Sequence, residues 1–244
     1  MTTLTAALLD PILASDPAGP RITWYDDATG ARIELSALTL ANWAAKTANM
    51  IRDEFGLLPG GRVAVLLPAH WQSAAVLLGA WWAGTEVVLD ADPDADLALV
   101  TPDRLDEVDD VTEVAALSLD AFGRPVADLP PGVTDYATNV RLHGDQFRPT
   151  ASTTTVTSGA GDAALGGRTA ADVLAAAKES AARSGITGTD RVLSSRDWGT
   201  VDELVDGLLA ALSVGASLVQ VSNPDPAAIE RRIASEKITA RLDA

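Results

Sequence analysis

Apolar positions along this chain alternate between helical spacing and short continuous runs, and the changes from one to the other predict its elements. A short helix is expected over Leu4–Leu13, ahead of breaks at Asp16-Pro17 and Gly19-Pro20. Arg21–Tyr25 and Ala31–Leu35 flank Asp26, Asp27 and Gly30, the pattern of a hairpin with a polar turn. Thr39 is placed to cap a helix in which Leu40, Trp43, Ala44, Thr47, Met50 and Ile51 recur at helical spacing, and Pro59-Gly60-Gly61 stops it.

The clearest unit follows. Val63–Leu67 reads as a buried strand, Trp71–Ala83 as an almost wholly apolar helix closed by Gly84, and Glu86–Leu89 as the next strand. Two such strands are best joined by a right-handed crossover, which implies a sheet covered on both faces. Leu97–Val100 is a further strand, Pro102–Val108 a short helix, Val114–Leu119 an edge strand and Pro125–Gly132 a turn-rich connector. Thr153–Thr157 reads as a β-branched strand, and Thr169–Ser184 as an alanine-rich helix that Thr169 caps. A second alternation has strands at Arg191–Ser194 and Ser217–Val221 around a Val201–Val214 helix, then an amphipathic helix over Pro224–Glu236. The fold class is therefore α/β, with layered βαβ units and a mixed or mostly parallel sheet fed by both halves of the chain. We expect a single domain over residues 1–244, with subregions at 20–150 and 151–240.

Charge narrows the partners. With 34 acidic against 18 basic residues the formal charge is -16, a surface that repels nucleic acid and anionic membranes. The chain contains no cysteine, so disulfides and thiolate chemistry are excluded. Its two histidines, His70 and His143, do not stand at metal-ligand spacing. Aspartates crowd residues 90–110, but a calcium loop would need a glycine at its sixth position and a glutamate at its twelfth, and a solvated loop fits better. Met1–Pro11 lacks the basic start of a secretory signal, and no apolar run reaches the ~20 residues that span a bilayer, so a cytoplasmic protein is expected. Trp71, Trp81 and Trp82 read as packing residues, with an aromatic ligand platform as the alternative.

Candidate chemistry gathers at Thr157–Gly167. A strand running into a glycine- and hydroxyl-rich turn presents backbone N–H groups to an anion, and Thr157, Ser158 and Gly159 fit that start. Phosphoryl or adenylyl transfer also needs positive charge, yet Asp162, Ala163, Ala164 and Leu165 follow, and none of Lys46, Lys178 and Lys237 lies there. Arg168 is the one cation able to reach back. The segment is then either a turn without a ligand or a residual anion site formed by Thr157, Ser158, Gly159 and Arg168. A hydrolase reading fails on Ser158, which lacks the Gly-x-Ser-x-Gly elbow, although His70, His143 and Asp145 are present.

These residues resemble the N-terminal part of the adenylate-forming superfamily, which includes acyl-CoA synthetases, nonribosomal adenylation domains and luciferase. Arg62–Pro68, Leu77–Ala80 and Ala83-Gly84 look like its first βαβ segment; Gly188–Leu193, Gly207–Leu209 and Leu212–Leu218 look like the segment after its phosphate loop. That loop begins Thr-Ser-Gly and ends Pro-Lys-Gly. Laid on this sequence, Thr157, Ser158, Gly159 and Gly166 agree, while Ala160 and Gly161 take hydroxyl positions, Asp162 a glycine's, Ala164 the proline's and Leu165 the lysine's. The resemblance is closest to a small actinobacterial family of short proteins distantly similar to AMP-binding enzymes. It implies no catalytic residue and no metal here, and a noncatalytic scaffold or interaction domain; the alternative is a sensor that holds ATP or AMP weakly, or an acyl group. Members of the superfamily continue for several hundred residues beyond the point matching Ala244, so an open sheet edge is expected, covered by a second copy, by another protein, or by the chain's own loops or its Leu4–Leu13 segment.

Overall fold

Helix α3 (Trp71–Ala83) is apolar around its whole circumference, and every residue but Trp82 is buried. A helix with no polar face must be surrounded. The computed structural model, which describes residues 3–149 and 163–242, supplies that surround with a layer of helices between two sheets.

The first sheet has the order β12-β10-β11-β1-β2, from β1 (Pro20–Asp26), β2 (Ala31–Ser36), β10 (Arg191–Ser194), β11 (Ser217–Ser222) and β12 (Ala240–Leu242). Only β1 and β2 pair antiparallel within it, as the expected hairpin. The second has the order β7-β6-β5-β3-β4-β8-β9, from β3 (Arg62–Leu66), β4 (Glu86–Val88), β5 (Leu97–Val100), β6 (Glu113–Ala116), β7 (Val133–Asp135), β8 (Ala163–Leu165) and β9 (Arg168–Thr169). All its pairs are parallel except β8 with β9. Both sheets draw strands from both halves of the chain, so the single sheet expected from the sequence is in fact two.

Between the sheets lie α1 (Leu4–Ser15), α2 (Ala37–Asp53), α3 and α5 (Ala170–Arg183). The inner faces of the sheets, with Ile22 and Trp24 on one and Val63, Val65, Leu97 and Leu99 on the other, join these helices in one core. The Leu4–Leu13 segment of the sequence reading is thus a core helix, with Leu4, Leu8, Leu9 and Ile12 all buried. The outer face of the first sheet is covered by α8 (Ile229–Glu236), through Ile229 and Ile233 on Leu193, Val219 and Val221. The other outer face carries Val108 and Val111, set by the 3-10 turn Pro102–Val108 and the loop after it.

Several polar groups drawn into this interior are paired across elements. Thr47 Oγ1 bonds both the Trp43 carbonyl and, at 2.7 Å, the Tyr136 hydroxyl, whose pKa burial raises. Trp81 Nε1 donates to the Ala164 carbonyl at 2.8 Å, fastening α3 to β8. On the outside, Arg191 bonds both Glu34 and Glu236, and Arg32 and Tyr25 also reach Glu236, so α8 is tied to β1, β2 and β10. Burial works against ionisation of Glu236, but the bonds from Arg32, Tyr25 and Arg191 outweigh it and hold the carboxyl at about 2.

Several expectations shift. Helix α2 is capped by Ser36 instead of Thr39: Ser36 Oγ accepts the Thr39 N–H at 3.1 Å, and the helix begins at Ala37. Strand β6 is interior, because Val133–Asp135 pairs on its far side, a strand too short and polar to stand out in the sequence. The Val201–Val214 helix is α6 (Val201–Leu204) and α7 (Ala210–Val214) joined by a π-turn at Val205–Leu209. There Gly207 lies against Trp198, and a Cβ on it would come within 2.9 Å of Trp198 Nε1. Thr169 caps α5 as expected, accepting the Asp172 N–H. The expected Thr153–Thr157 strand lies outside the described residues.

Helices α2 and α3 pack closely, and a Cβ on Gly79 would lie 2.5 Å from Thr47 Cβ and 2.8 Å from the Ala44 carbonyl oxygen. Neither neighbour is the free end of a side chain, so the helices must separate. Gly79→Ala is expected to lower stability by about 2 kcal/mol despite its better helix propensity, read from the urea midpoint.

Candidate functional site

The parallel strands of the first sheet run in one direction, so their carboxyl ends converge, and ligands of open α/β sheets bind outside such ends. Here they bound a cleft of about 430 Å³ whose lining includes Trp24 and Asp26 from β1, Ser195, Arg196 and Asp197 after β10, Gln220 and Ser222 from β11, and Asn223 just after it. Pro68, Ala69 and His70, from the connection between β3 and α3, close it from the second sheet.

Hydrogen bonds fix these walls to one another. Ser222 Oγ accepts from Trp24 Nε1 at 2.9 Å and donates to the Ala69 carbonyl at 3.0 Å, which ties the two sheets together. Asp197 Oδ1 accepts the N–H groups of Ala69 and Trp198. Asn223 Nδ2 donates to Asp26 Oδ1 at 2.8 Å. Two non-glycine residues in the lining have left-handed backbones, Leu119 at φ 52° and Asn223 at φ 50°; asparagine tolerates that region, whereas a bulky leucine is strained there.

His70 is the pivot of the site. It is 2% exposed and caps α3, with Nδ1 accepting the Gln72 N–H at 3.1 Å. Burial drives its pKa down to about 3, against the pull of the nearby Asp26 and Asp120 carboxylates. The ring is therefore neutral at pH 7, and because Nδ1 is an acceptor the proton resides on Nε2. That Nε2–H has no hydrogen-bond partner. Gln220, 1% exposed, donates through Nε2 to the Arg196 carbonyl at 2.8 Å and leaves Oε1 unpaired. A buried polar atom without a partner costs about 1–3 kcal/mol, and Arg196 Nε, on the same lining, is a third.

The residues singled out in the sequence are placed differently. Thr157, Ser158 and Gly159 lie outside the described residues. Arg168 is exposed on β9, its guanidinium 3.3 Å from Asp202. Leu165, at the position the resemblance gives to lysine, is fully buried in β8 and pairs with Val87 of β4. Gly166 and Gly167, with φ of 51° and 79°, form the two-residue turn of the β8–β9 hairpin, a geometry that requires left-handed backbone at both positions. Their N–H groups are already engaged, Gly166 with the Val87 carbonyl at 2.9 Å and Gly167 with the Glu86 carboxylate at 2.8 Å. His143 faces Glu54 at 2.9 Å, remote in sequence from its neighbour Asp145. The cleft itself was missed because its members come from five separate stretches of chain; the only local signal was a histidine immediately before an apolar helix.

Among the described residues no group of three or more His, Cys, Asp or Glu side chains is arranged to hold a metal. Asp92 and Asp96, from the aspartate-rich stretch, instead bind Arg62 and its backbone N–H. No helix among the described residues is long and apolar enough to cross a membrane.

A histidine with a depressed pKa stays neutral in the folded state while its unfolded counterpart takes up a proton below about 6.5. The unfolded state then binds more protons, so stability falls as pH drops from about 6.5 towards 3 and is unaffected by this group above that window. His70→Asn keeps a capping oxygen and is expected to remove this part of the slope, measured by urea unfolding at stepped pH.

No family profile matches the sequence. Among solved structures, the fold is similar to an acyl-CoA synthetase from Brucella canis, at TM-score 0.78 and 18% identity, covering 98% of this chain and 46% of that one. It is also similar to the anthranilate CoA ligase AuaEII in complex with anthranoyl-AMP, at TM-score 0.75 and 14% identity, covering 99% of this chain and 49% of that one. The chain thus spans about half the length of these ligases, and its two sheets with central helices are the N-terminal subdomain of acyl-CoA synthetases in fold. A relative from Mycobacterium tuberculosis (strain ATCC 25618 / H37Rv), described as a TIGR03089 family protein, is 59% identical over 248 residues, which is 99% of this chain and 98% of the relative. At that identity over nearly the full length of both proteins, the chain belongs to the TIGR03089 family.

Proposed function

We propose that this chain is a noncatalytic scaffold or interaction domain built on the fold of an adenylate-forming ligase, holding a second copy or another protein. One observation carries the reading. Where a phosphate-handling loop needs a cation and free N–H donors, Leu165 is buried in the sheet and the N–H groups of Gly166 and Gly167 are bonded to Val87 and Glu86. The Glu86 carboxylate adds negative charge at that point, which opposes the charge that develops on a transferring phosphoryl or adenylyl group. Arg168 is drawn to Asp202. Purified protein given ATP, magnesium and a panel of aliphatic and aromatic acids is expected to show no pyrophosphate exchange above background. Exchange that Arg168→Ala abolishes would sink the proposal.

A second reading, a sensor of a nucleotide, an acyl group or another small molecule, is favoured by the cleft with its unpaired His70 and Gln220. Calorimetric titration with ATP, AMP and CoA tests its nucleotide form. Heat that saturates is expected if the sensor reads nucleotides, and none at millimolar ligand removes that form.

A further inference from the structure

Helix α8 is held to the body of the protein differently from the helices of the core. Of its residues only Arg232 is buried. Its apolar contacts, Ile229 and Ile233 on Leu193, Val219 and Val221, form a cluster apart from the main core. They leave a cavity of about 220 Å³ beneath the helix, lined in part by Leu193, Val221, Ile229 and Leu242. Charge completes the attachment. Arg232 donates through both Nη atoms to Asp27 and lies 4.3 Å from the centre of the Tyr25 ring. Glu236 is held by Arg32, Arg191 and Tyr25. A helix this short does not persist by itself in water, so α8 unfolds once those bonds break.

The ends of the segment are set for such a change. Asn223 and Lys237, on either side of residues 224–236, both have left-handed backbones, at φ 50° and 53°, and undocking returns them to ordinary conformations. The chain at these ends is fastened independently of α8: Asn223 Nδ2 donates to Asp26, and Thr239 bonds Asp190 and the Arg191 backbone where β12 joins β10. Asn223 and Pro224 also line the 430 Å³ cleft, and the cleft and the cavity under α8 have Ser195, Val221 and Pro224 in common. The segment therefore begins as a wall shared by two adjacent cavities.

We propose that residues 224–236 form a strap, tethered at both ends and latched by Arg232 and Glu236, that undocks as a unit while the rest of the fold persists and so joins the cleft to the cavity under α8. The strap gives the cleft a movable wall whichever functional reading holds.

Hydrogen exchange of the whole chain at pH 7 tests the device. The hydrogen-bonded amides of α8 are expected to exchange at least about a hundredfold faster than those of α3, through an opening that leaves α3 and β10 protected. Glu236→Gln keeps the shape of the latch and removes its charge, and should speed α8 by at least about tenfold with α3 and β10 unchanged. Lys237→Gly relieves left-handed strain in the docked state and should slow α8 by about threefold. The chain has no cysteine, so Val219→Cys puts a single thiol under the strap and Val65→Cys puts one in the main core as the control. A thiol reagent is expected to label V219C at least about tenfold faster than V65C, and faster again when E236Q is added. Wild-type α8 amides that exchange no faster than those of α3, or only together with β10, overturn the strap, and that comparison needs no variant to fold. Equal acceleration of α8 and α3 by Glu236→Gln overturns the latch.

Discussion

The burial of α3 on every side constrains the rest of this molecule. Twelve of its thirteen residues are buried, among them Trp71, Trp81 and a run of alanine, valine and leucine. Each Leu or Val side chain so buried contributes roughly 1.5–3 kcal/mol, but only if neighbours close on all faces. One sheet cannot do that. α2 packs along one side through the close approach of Gly79 to Thr47, α1 along another, and sheets stand on both sides of the helical layer. The main-chain demand is met as well: α3 ends at Gly84 in a left-handed conformation, and begins at His70.

That beginning is where architecture turns into a site. The connection from β3 into α3 brings Pro68, Ala69 and His70 against the carboxyl ends of strands in the other sheet, and Ser222 and Asp197 fasten it there. Capping α3 through Nδ1 determines which nitrogen of His70 carries the proton. The cleft's donor is therefore a by-product of stabilising the central helix. Burial keeps the ring neutral despite the carboxylates around it, so the donor persists at physiological pH.

The described end of the segment that resembles a phosphate loop is given over to sheet packing and a hairpin turn. A lysine at Leu165 would be a charge inside the sheet, held to Val87 on a strand packed over Trp81. The hydrophobic residue present satisfies the packing of β8, and the glycines that follow satisfy a hairpin turn. The geometry of a ligase half is kept while the positive charge needed to offset a phosphate is absent from Ala163–Gly167.

Much of the fold was legible in the sequence because it is encoded locally. The apolar run of α3, the strands on either side of it, the hairpin of β1 and β2, the capping threonine of α5 and the strand order around β10 and β11 follow from periodicity and turn residues within a few positions of each other. The missing lysine at Leu165 was equally plain, since charge is a property of composition. Less was visible wherever pairing decided the outcome. β7 makes β6 an interior strand although its own residues carry almost no hydrophobic signal, and Ser36 displaces Thr39 as a cap because its backbone is extended at the end of β2. The division into two sheets, the use of the Gly166 and Gly167 N–H groups, and the placing of His70 and Gln220 on one cleft depend on segments distant in the chain, as far apart as Ile22 and Leu218 in the β1–β11 pairing. The sequence by itself determined the α/β class, the long helices, the longer strands and the absence of a loop cation; tertiary structure decided the short strands β7, β8, β9 and β12 and which buried polar atoms were left without partners, because pairing and hydrogen-bond satisfaction are settled by neighbours in space.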